Sequence, residues 1–183
     1  MRIAVSGAHI VGKSTLAAEL ARRMPRHVVV AEPYDILAER GYEFSHPPTI
    51  DDYIIQLKQS LISLRRQSPN LIFDRCPLDF LGYIAASPGS ARFDVEAWRE
   101  PIARAMARLD LVVFLPADPA WNPDIPSDDA ALRLAVDDAL RDIIDGDSYD
   151  LCEDVAILAL DGARDRQIET VLTHIEQASA RRS

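Results

Sequence analysis

The feature that most constrains the fold of this chain is a loop bracketed by glycines that lies close to residue 1. Arg2 to Ser6 forms a short apolar, β-branched run, and from Ser14 to Met24 the apolar residues recur at helical spacing. The segment between them reads GAHIVGKS over residues 7–14. A strand, a glycine loop and a helix in this order predict the first unit of a parallel sheet covered by helices.

The loop has the spacing of a phosphate-binding loop, with four residues between its glycines and a Lys-Ser pair after the second. Its backbone N–H groups and the following helix N-terminus favour a bound anion. Lys13 supplies a positive charge for the β- and γ-phosphates, and the Ser14 hydroxyl is a ligand for Mg²⁺. We therefore expect ATP and Mg²⁺ to bind at the loop residues Gly7, Ala8, His9, Ile10, Val11, Gly12, Lys13, Ser14 and Thr15. For His9, a role as loop filler is favoured over a catalytic one.

The rest of the chain alternates apolar runs with helical patterns. Strands are predicted at 27–31, 70–73, 110–115 and 154–160, and helices at 51–66, 77–86, 95–108 and 164–178. This alternation predicts an α/β fold, in which a five-stranded parallel sheet has helices on both faces, as one domain over residues 1–183. The three valines of 27–31 are typical of a buried parallel strand. The proline-rich and then acidic segment 117–150 predicts a lid-like flap within that domain.

Composition and charge limit the partners. The net charge of −9 disfavours binding to a nucleic-acid polymer, which relies on many basic contacts. The apolar runs are shorter than the roughly 20 residues of a membrane helix, and no signal-peptide pattern opens the chain, so a cytoplasmic protein is expected. Cys76 and Cys152 lack metal-binding spacing and are expected to be reduced. An oligomer is compatible with all of these features.

Charged residues follow two of the predicted strands. Glu32 comes after the second strand, and Asp74-Arg75 ends the third. Ligands of parallel sheets bind at the carboxyl ends of the strands, where a phosphoryl acceptor would be held near the loop. There Glu32 can accept the proton of an attacking hydroxyl, Asp74 can hold Mg²⁺, and Arg75 can contact the transferring oxygens. For Glu32 the alternative is a solvated residue before a turn.

Three motifs, GAHIVGKST, VVVAEPYD and LIFDRCPLDFLGY, resemble those of P-loop nucleoside kinases, namely the deoxynucleoside kinases and the nicotinamide riboside kinase-like AAA-type small NTPases. The resemblance implies the three-layer P-loop kinase fold with strand order 2-3-1-4-5. It also implies that Glu32 of the Glu-Pro pair is the general base and that Asp74 and Arg75 lie near Mg²⁺ and the phosphates. Cys76 departs from the family's serine.

The same resemblance implies further contacts. A glutamine that reads the acceptor base corresponds to Gln56 or Gln59, with a solvated helix position as the alternative for each. Aromatic residues between the second and third strands can stack on a planar acceptor or pack in the core, namely Tyr34, Tyr42, Phe44 and Tyr53.

Arginines are few in the predicted flap. Arg133 and Arg141 are the candidates for phosphate contact there, although both have acidic residues at helical spacing. Arg164 and Arg166, after the fifth strand, can pack on adenine or start a helix at the surface. Of these four arginines, we take Arg133 as catalytic and Arg166 as nucleotide-binding.

These residues favour an ATP-dependent kinase that phosphorylates a hydroxyl of a small molecule, most readily a nucleoside or nucleoside-like metabolite. A regulatory or assembly ATPase or GTPase is the alternative, although the sequence shows neither a second acidic pair of Walker type nor an evident arginine finger. A kinase of an antibiotic or another secondary metabolite would share all the motifs.

Overall fold

The computed structural model places a five-stranded sheet between two layers of helices, and it describes residues 1–117, 127–146, 149–160 and 164–182. The strands are β1 (Arg2–Ser6), β2 (Val28–Val30), β3 (Leu71–Asp74), β4 (Leu111–Phe114) and β5 (Ala156–Ala159). The helices are α1 (Lys13–Arg23), α2 (Pro33–Glu39), α3 (Ile50–Ser63), α4 (Pro77–Ala86), α5 (Val95–Met106), α6 (Ser127–Gly146) and α7 (Arg164–Arg182). A short 3₁₀ helix, Ser90–Arg92, precedes α5.

The strand order is β2-β3-β1-β4-β5, and every neighbouring pair is parallel. This confirms the fold class and the order 2-3-1-4-5 expected from the sequence. Val5 of β1 pairs with Asp74 of β3, and Ser6 pairs with Phe114 of β4. The carboxyl ends of β1 and β3 are therefore adjacent, which places the glycine loop next to Asp74 and Arg75.

The sheet is covered on both faces because successive residues of a strand point to opposite sides. On one face, Ile3 and Val5 pack with Leu16 and Leu20 of α1 and with Val171 of α7. On the other face, Ala4 and its neighbours pack against α3, α4, α5 and α6. Three helices of this second layer, α3, α4 and α6, carry side chains that line the candidate site.

Strand β2 differs from the expected buried strand. It pairs with β3 alone within the described chain, and the side chains of Val28 and Val29 are exposed. An apolar run shows that a strand is suitable for burial but not whether helices will cover both of its faces. The short helix α2 is also absent from the predicted elements, because seven residues are too few to show a helical period. It begins at Pro33, a residue suited to the first turn of a helix.

The flap predicted at 117–150 is described only in part. Helix α6 spans Ser127–Gly146, which agrees with the acidic helical pattern, whereas residues 118–126 and 147–148 lie outside the described residues. Across the described ranges, none of the helices has the length and apolar character needed to cross a bilayer.

Candidate active site

The glycine loop lies between β1 and α1 and passes close to the end of β4. Gly7 has φ +147°, and a Cβ atom at this position would lie 2.5 Å from the carbonyl oxygen of Leu115. A larger residue would therefore force the loop away from the sheet. Gly12 caps α1 in a left-handed conformation, so the loop enters the helix at the residue before Lys13. The predicted context of strand, loop and helix is thus present.

Lys13 is held inside the loop. Its side chain is buried, and its Nζ donates a hydrogen bond of 2.6 Å to the carbonyl oxygen of Ala8. Burial and the nearby Arg75 lower the Lys13 pKa to about 7, although the carboxylates of Asp79, Asp74 and Glu32 oppose this change. The ammonium group is consequently poorly solvated, and it would gain from the approach of an anion.

Ser14 and Asp74 form a pair of oxygen donors beside the loop. Asp74 is buried, and its Oδ1 has no hydrogen-bond partner among the described residues. Burial raises the Asp74 pKa, while the side chain of Ser14 counteracts this increase. Ser14 itself is exposed at the start of α1. An unpartnered carboxylate oxygen next to a hydroxyl suits Mg²⁺, which takes hard oxygen ligands from one or two side chains and completes its shell with phosphate and water.

Glu32 and Arg75 are joined across two strand ends. The Nε atom of Arg75 donates to Oε2 of Glu32 at 2.8 Å, and its Nη1 donates to the carbonyl oxygen of Gly7 at 3.3 Å. The guanidinium carbon also lies 5.3 Å from the ring centre of Tyr83. The backbone of Arg75 is left-handed, with φ 77°, so its side chain turns back over the glycine loop. Arg75 therefore connects the loop with Glu32, the acid that follows β2.

A cavity of about 370 Å³ opens beside this pair. Charged and polar side chains line one part of it, including Glu32, Arg75 and Gln56, and His9 and Ile10 of the loop form another part. Aromatic side chains provide much of the remaining wall, namely Tyr34, Tyr53, Phe80 and Tyr83. Tyr53 and Tyr83 stack with their ring centres 4.9 Å apart. Burial raises the Tyr53 pKa to about 12 and also raises the Tyr83 pKa, so both rings are neutral near pH 7.

The two candidate glutamines have different surroundings. Gln56 lines the cavity, and its Nε2 donates to the carbonyl oxygen of Asp52 at 3.1 Å. Gln59 instead accepts a hydrogen bond from Arg40 and donates one to Ser63. The polar atoms of Gln59 are thus engaged within α3 and with the segment after α2, which leaves Gln56 as the glutamine that faces the cavity.

The chain was compared with known proteins at the level of sequence families and of folds. A family model described as an AAA domain matches residues 2–156. The chain belongs to this AAA-domain family. A search of curated proteins finds no sequence match.

Solved structures with the fold of this AAA-domain chain include small-molecule kinases. Deoxyadenosine kinase from M. mycoides, solved with bound dATP, is 17% identical with a TM-score of 0.65, over 96% of this chain and 100% of that one. NadR protein in complex with NAD and AMP-PNP is 21% identical with a TM-score of 0.67, over 96% of this chain and 48% of that one. Shikimate kinase from Aquifex aeolicus is 14% identical with a TM-score of 0.58, over 98% and 99%. The AAA-domain chain therefore has the fold of P-loop nucleoside and small-molecule kinases.

Other residues predicted for the site of this AAA-domain chain lie on α6 and α7. Arg133 is buried in α6, directly after Leu132, which lines the cavity. Arg141, further along α6, forms an ion pair with Asp137 at 2.8 Å, one helical turn away. This is the pairing with an acidic residue that the sequence offers as the alternative to phosphate contact. Arg166 is exposed in the first turn of α7, beside Glu169 and Thr170 on the outer face of that helix. The side chain of Arg164 lies outside the described residues.

Asp79 has a larger role in the AAA-domain site than its sequence position suggests. Its Oδ2 accepts from the backbone N–H of Cys76 at 2.8 Å, as part of the cap of α4. Its Oδ1 also accepts from the N–H of Gly7 at 2.9 Å and lies 3.6 Å from Nη1 of Arg75. The carboxylate is completely buried. The sequence offers no signal for the bond to Gly7, because the two residues are 72 positions apart.

Proposed function

We propose that this chain is a kinase that transfers the γ-phosphoryl group of ATP, with Mg²⁺, to a hydroxyl group of a small molecule. The observation that carries this proposal is the shared location of the glycine loop, the Glu32–Arg75 pair and an aromatic cavity of about 370 Å³. A loop that binds phosphates needs no such cavity for hydrolysis alone, since water is the only acceptor. A cavity with a carboxylate and a guanidinium at its border fits an organic acceptor.

The donor half of the site consists of the loop and the groups that approach the phosphates. Backbone N–H groups of residues 8–14 and the buried Lys13 bind the β- and γ-phosphates. Ser14 and Asp74 would hold Mg²⁺, which when bound neutralises charge on the phosphate oxygens. The guanidinium of Arg75 is placed to contact oxygens of the transferring group, and Arg133 is a further candidate for that contact. Arg166 is a candidate for packing on the adenine.

The acceptor half is the cavity and its border. Glu32 accepts the proton of the attacking hydroxyl, and the pair with Arg75 holds its carboxylate in place before the acceptor binds. The Tyr53–Tyr83 stack and the exposed ring of Tyr34 offer flat apolar faces to a planar ring, and Gln56 offers an amide to its polar edge. These features favour a nucleoside or nucleoside-like acceptor. Cytoplasmic location and the absence of nucleic-acid and membrane partners remain expectations of the sequence.

The test combines an acceptor panel with a base variant. The purified protein is given ATP and Mg²⁺ with single nucleosides, shikimate-like alcohols and hydroxylated secondary metabolites, and ADP release is measured for each. We expect release to depend on the acceptor and to be fastest with a nucleoside-like compound. Undiminished ADP release without any acceptor would refute the kinase and favour the regulatory ATPase.

The substitution Glu32→Gln keeps the shape of the side chain but removes its basic oxygen. We expect the acceptor-dependent rate to fall by about 10²-fold or more, because general-base catalysis contributes on this scale. Glu39→Gln is the matched control, since Glu39 is an exposed acid at the end of the helix that follows Glu32. A rate for Glu32→Gln close to that of the control would remove Glu32 from the mechanism.

A further inference from the structure

The side chain of His9 connects the glycine loop with two helices of the second layer. Its Nδ1 lies 3.1 Å from the hydroxyl oxygen of Tyr83 in α4, and its Nε2 lies 2.9 Å from the backbone carbonyl oxygen of Asp129 in α6. His9, Tyr83, Asp129 and the nearby Leu132 all line the cavity. The imidazole is thus neither a free loop side chain nor a group directed at the phosphates from solvent.

The partners of the ring determine its protonation. A backbone carbonyl oxygen only accepts hydrogen bonds, so Nε2 must carry a hydrogen to bond Asp129. In the neutral ring, Nδ1 then has a lone pair that accepts the hydrogen of the Tyr83 hydroxyl. Burial lowers the His9 pKa, and Arg75 and Lys13 lower it further, while the backbone and side chain of Asp129 oppose them. The neutral ring with hydrogen on Nε2 is therefore the form that satisfies both contacts near pH 7.

Helix α6 packs against α4 and meets the glycine loop at its first turn. Its first turn carries Asp129, and α6 then packs along α4, with Leu140 lying against Gly82. The bond from His9 to the Asp129 carbonyl joins the loop to that first turn directly. The side chain of Leu132 follows one turn later and forms part of the cavity wall. Loss of the His9 contact should therefore disturb the cavity wall formed by α6, on the acceptor side of the site, more than the phosphate side.

We propose that His9 is a positioning residue that fixes the first turn of α6 against the glycine loop and so closes the wall of the acceptor cavity. The structural part stands on the two contacts of the ring, whereas its consequence for acceptor binding rests on the proposed kinase function. The cavity would be formed before either substrate binds, and changes at residue 9 would alter the binding of the acceptor more than that of ATP.

Hydrogen exchange of the ligand-free protein tests the structural part without an acceptor. Three variants separate the two contacts: His9→Ala removes both, His9→Gln keeps a donor near the Nε2 position, and His9→Asn keeps an acceptor near the Nδ1 position. We expect amides of residues 131–137 to exchange about tenfold faster in the Ala and Asn variants, and to stay within about twofold of wild type in the Gln variant. Peptides of α5 serve as the internal control. Equal protection of residues 131–137 in all four proteins would overturn the proposal.

Kinetics test the consequence once the acceptor panel has identified a substrate. We expect His9→Ala to raise the acceptor KM about tenfold and the KM for ATP by a smaller factor, with His9→Gln restoring the acceptor KM. Protonation of the ring keeps the Nε2 donor to the Asp129 carbonyl and adds a donor at Nδ1, which the Tyr83 hydroxyl can accept, so the acceptor KM should depend on pH in the same way in wild type and in His9→Gln. The charged and titratable groups that face the ring are Lys13, Arg75, Tyr83 and Asp129.

The two tests distinguish the possible failures. If exchange is faster in His9→Ala and wild type shows no acceptor-dependent activity, the proposed function is refuted while the structural role of His9 stands. An unchanged acceptor KM in His9→Ala, in an active kinase, would overturn the role of His9 in acceptor binding while the kinase stands.

Discussion

Replacing Lys13 by methionine should stabilise the ligand-free protein near pH 6 even though it removes a residue of the proposed donor site. The Lys13 pKa is about 7 in the folded chain and 10.5 as an ordinary value. This difference corresponds to about 5 kcal/mol that disfavours the charged ammonium in the folded state. Methionine has a similar length and no charge, so it avoids this free-energy cost. It also loses the hydrogen bond to the Ala8 carbonyl oxygen, which is worth about 1 kcal/mol.

The pH dependence gives the prediction its sign. Between pH 7 and 10.5 the unfolded chain keeps the lysine proton while the folded chain loses it, so the free energy of unfolding of wild type rises with pH. Relative to Lys13→Met, we expect a rise of about 2 kcal/mol between pH 7 and 9, because the slope approaches its full value of about 1.4 kcal/mol per pH unit only above the folded pKa. Below pH 7 the lysine is protonated in both states, so the difference between the two proteins is constant and largest.

Urea unfolding at pH 6, 7, 8 and 9 without nucleotide measures both effects. Lys58→Met is the matched control, because Lys58 is the other lysine of the sequence and is exposed on α3. It should change the free energy of unfolding by less than about 1 kcal/mol at every pH. A stability difference between wild type and Lys13→Met that does not vary between pH 7 and 9 would refute the low pKa of Lys13, and so would a less stable Lys13→Met at pH 6.

Two further substitutions test how the site is anchored to the sheet. Gly7→Ala should lower the free energy of unfolding in urea by about 2–4 kcal/mol, because the new Cβ meets the Leu115 carbonyl oxygen at 2.5 Å. Gly41→Ala, at φ +85° in open space, should lower it by only about 1 kcal/mol, and equal effects of the two substitutions would contradict the clash. Arg2→Lys should lower the stability measured in thermal melts by about 1–3 kcal/mol, since one ammonium cannot replace the guanidinium bonds to the carbonyl oxygens of Leu64, Arg66 and Arg108. An effect no larger than that of Arg104→Lys, at an exposed ion pair, would show that these bonds contribute little.

The parts of the site that sequence could predict are those set by local chemistry. The glycine loop is recognisable because its residue types and spacing follow from phosphate binding. Glu32, Asp74 and Arg75 stand out because they follow apolar strands, at the carboxyl ends where parallel sheets bind ligands. Once the strands are parallel, their carboxyl ends lie at one edge, so the proximity of these groups follows from topology. The order of the strands followed from the resemblance of the motifs.

The parts that sequence could not predict depend on contacts between distant residues. Gln56 and Gln59 are three positions apart on one helix, and only the contacts of Arg40 show which of them is already engaged. The bond between Asp79 and Gly7 and the bridge from His9 to Asp129 join positions separated by 72 and 120 residues. No periodicity or motif records such pairs, since each residue is equally compatible with a solvated loop or helix end.

Backbone conformations that side chains rarely adopt occur at the centre of this site. Ile10 and Arg75 have φ values of 59° and 77°, which cost free energy in any residue with a side chain. At Arg75 the surroundings fix this conformation, because its N–H donates to the Val5 carbonyl and its guanidinium bonds Glu32 and Gly7. Strain held by so many contacts is present before any ligand arrives. The cost of orienting the guanidinium is therefore met during folding, which suits a reaction catalysed mainly by position and charge.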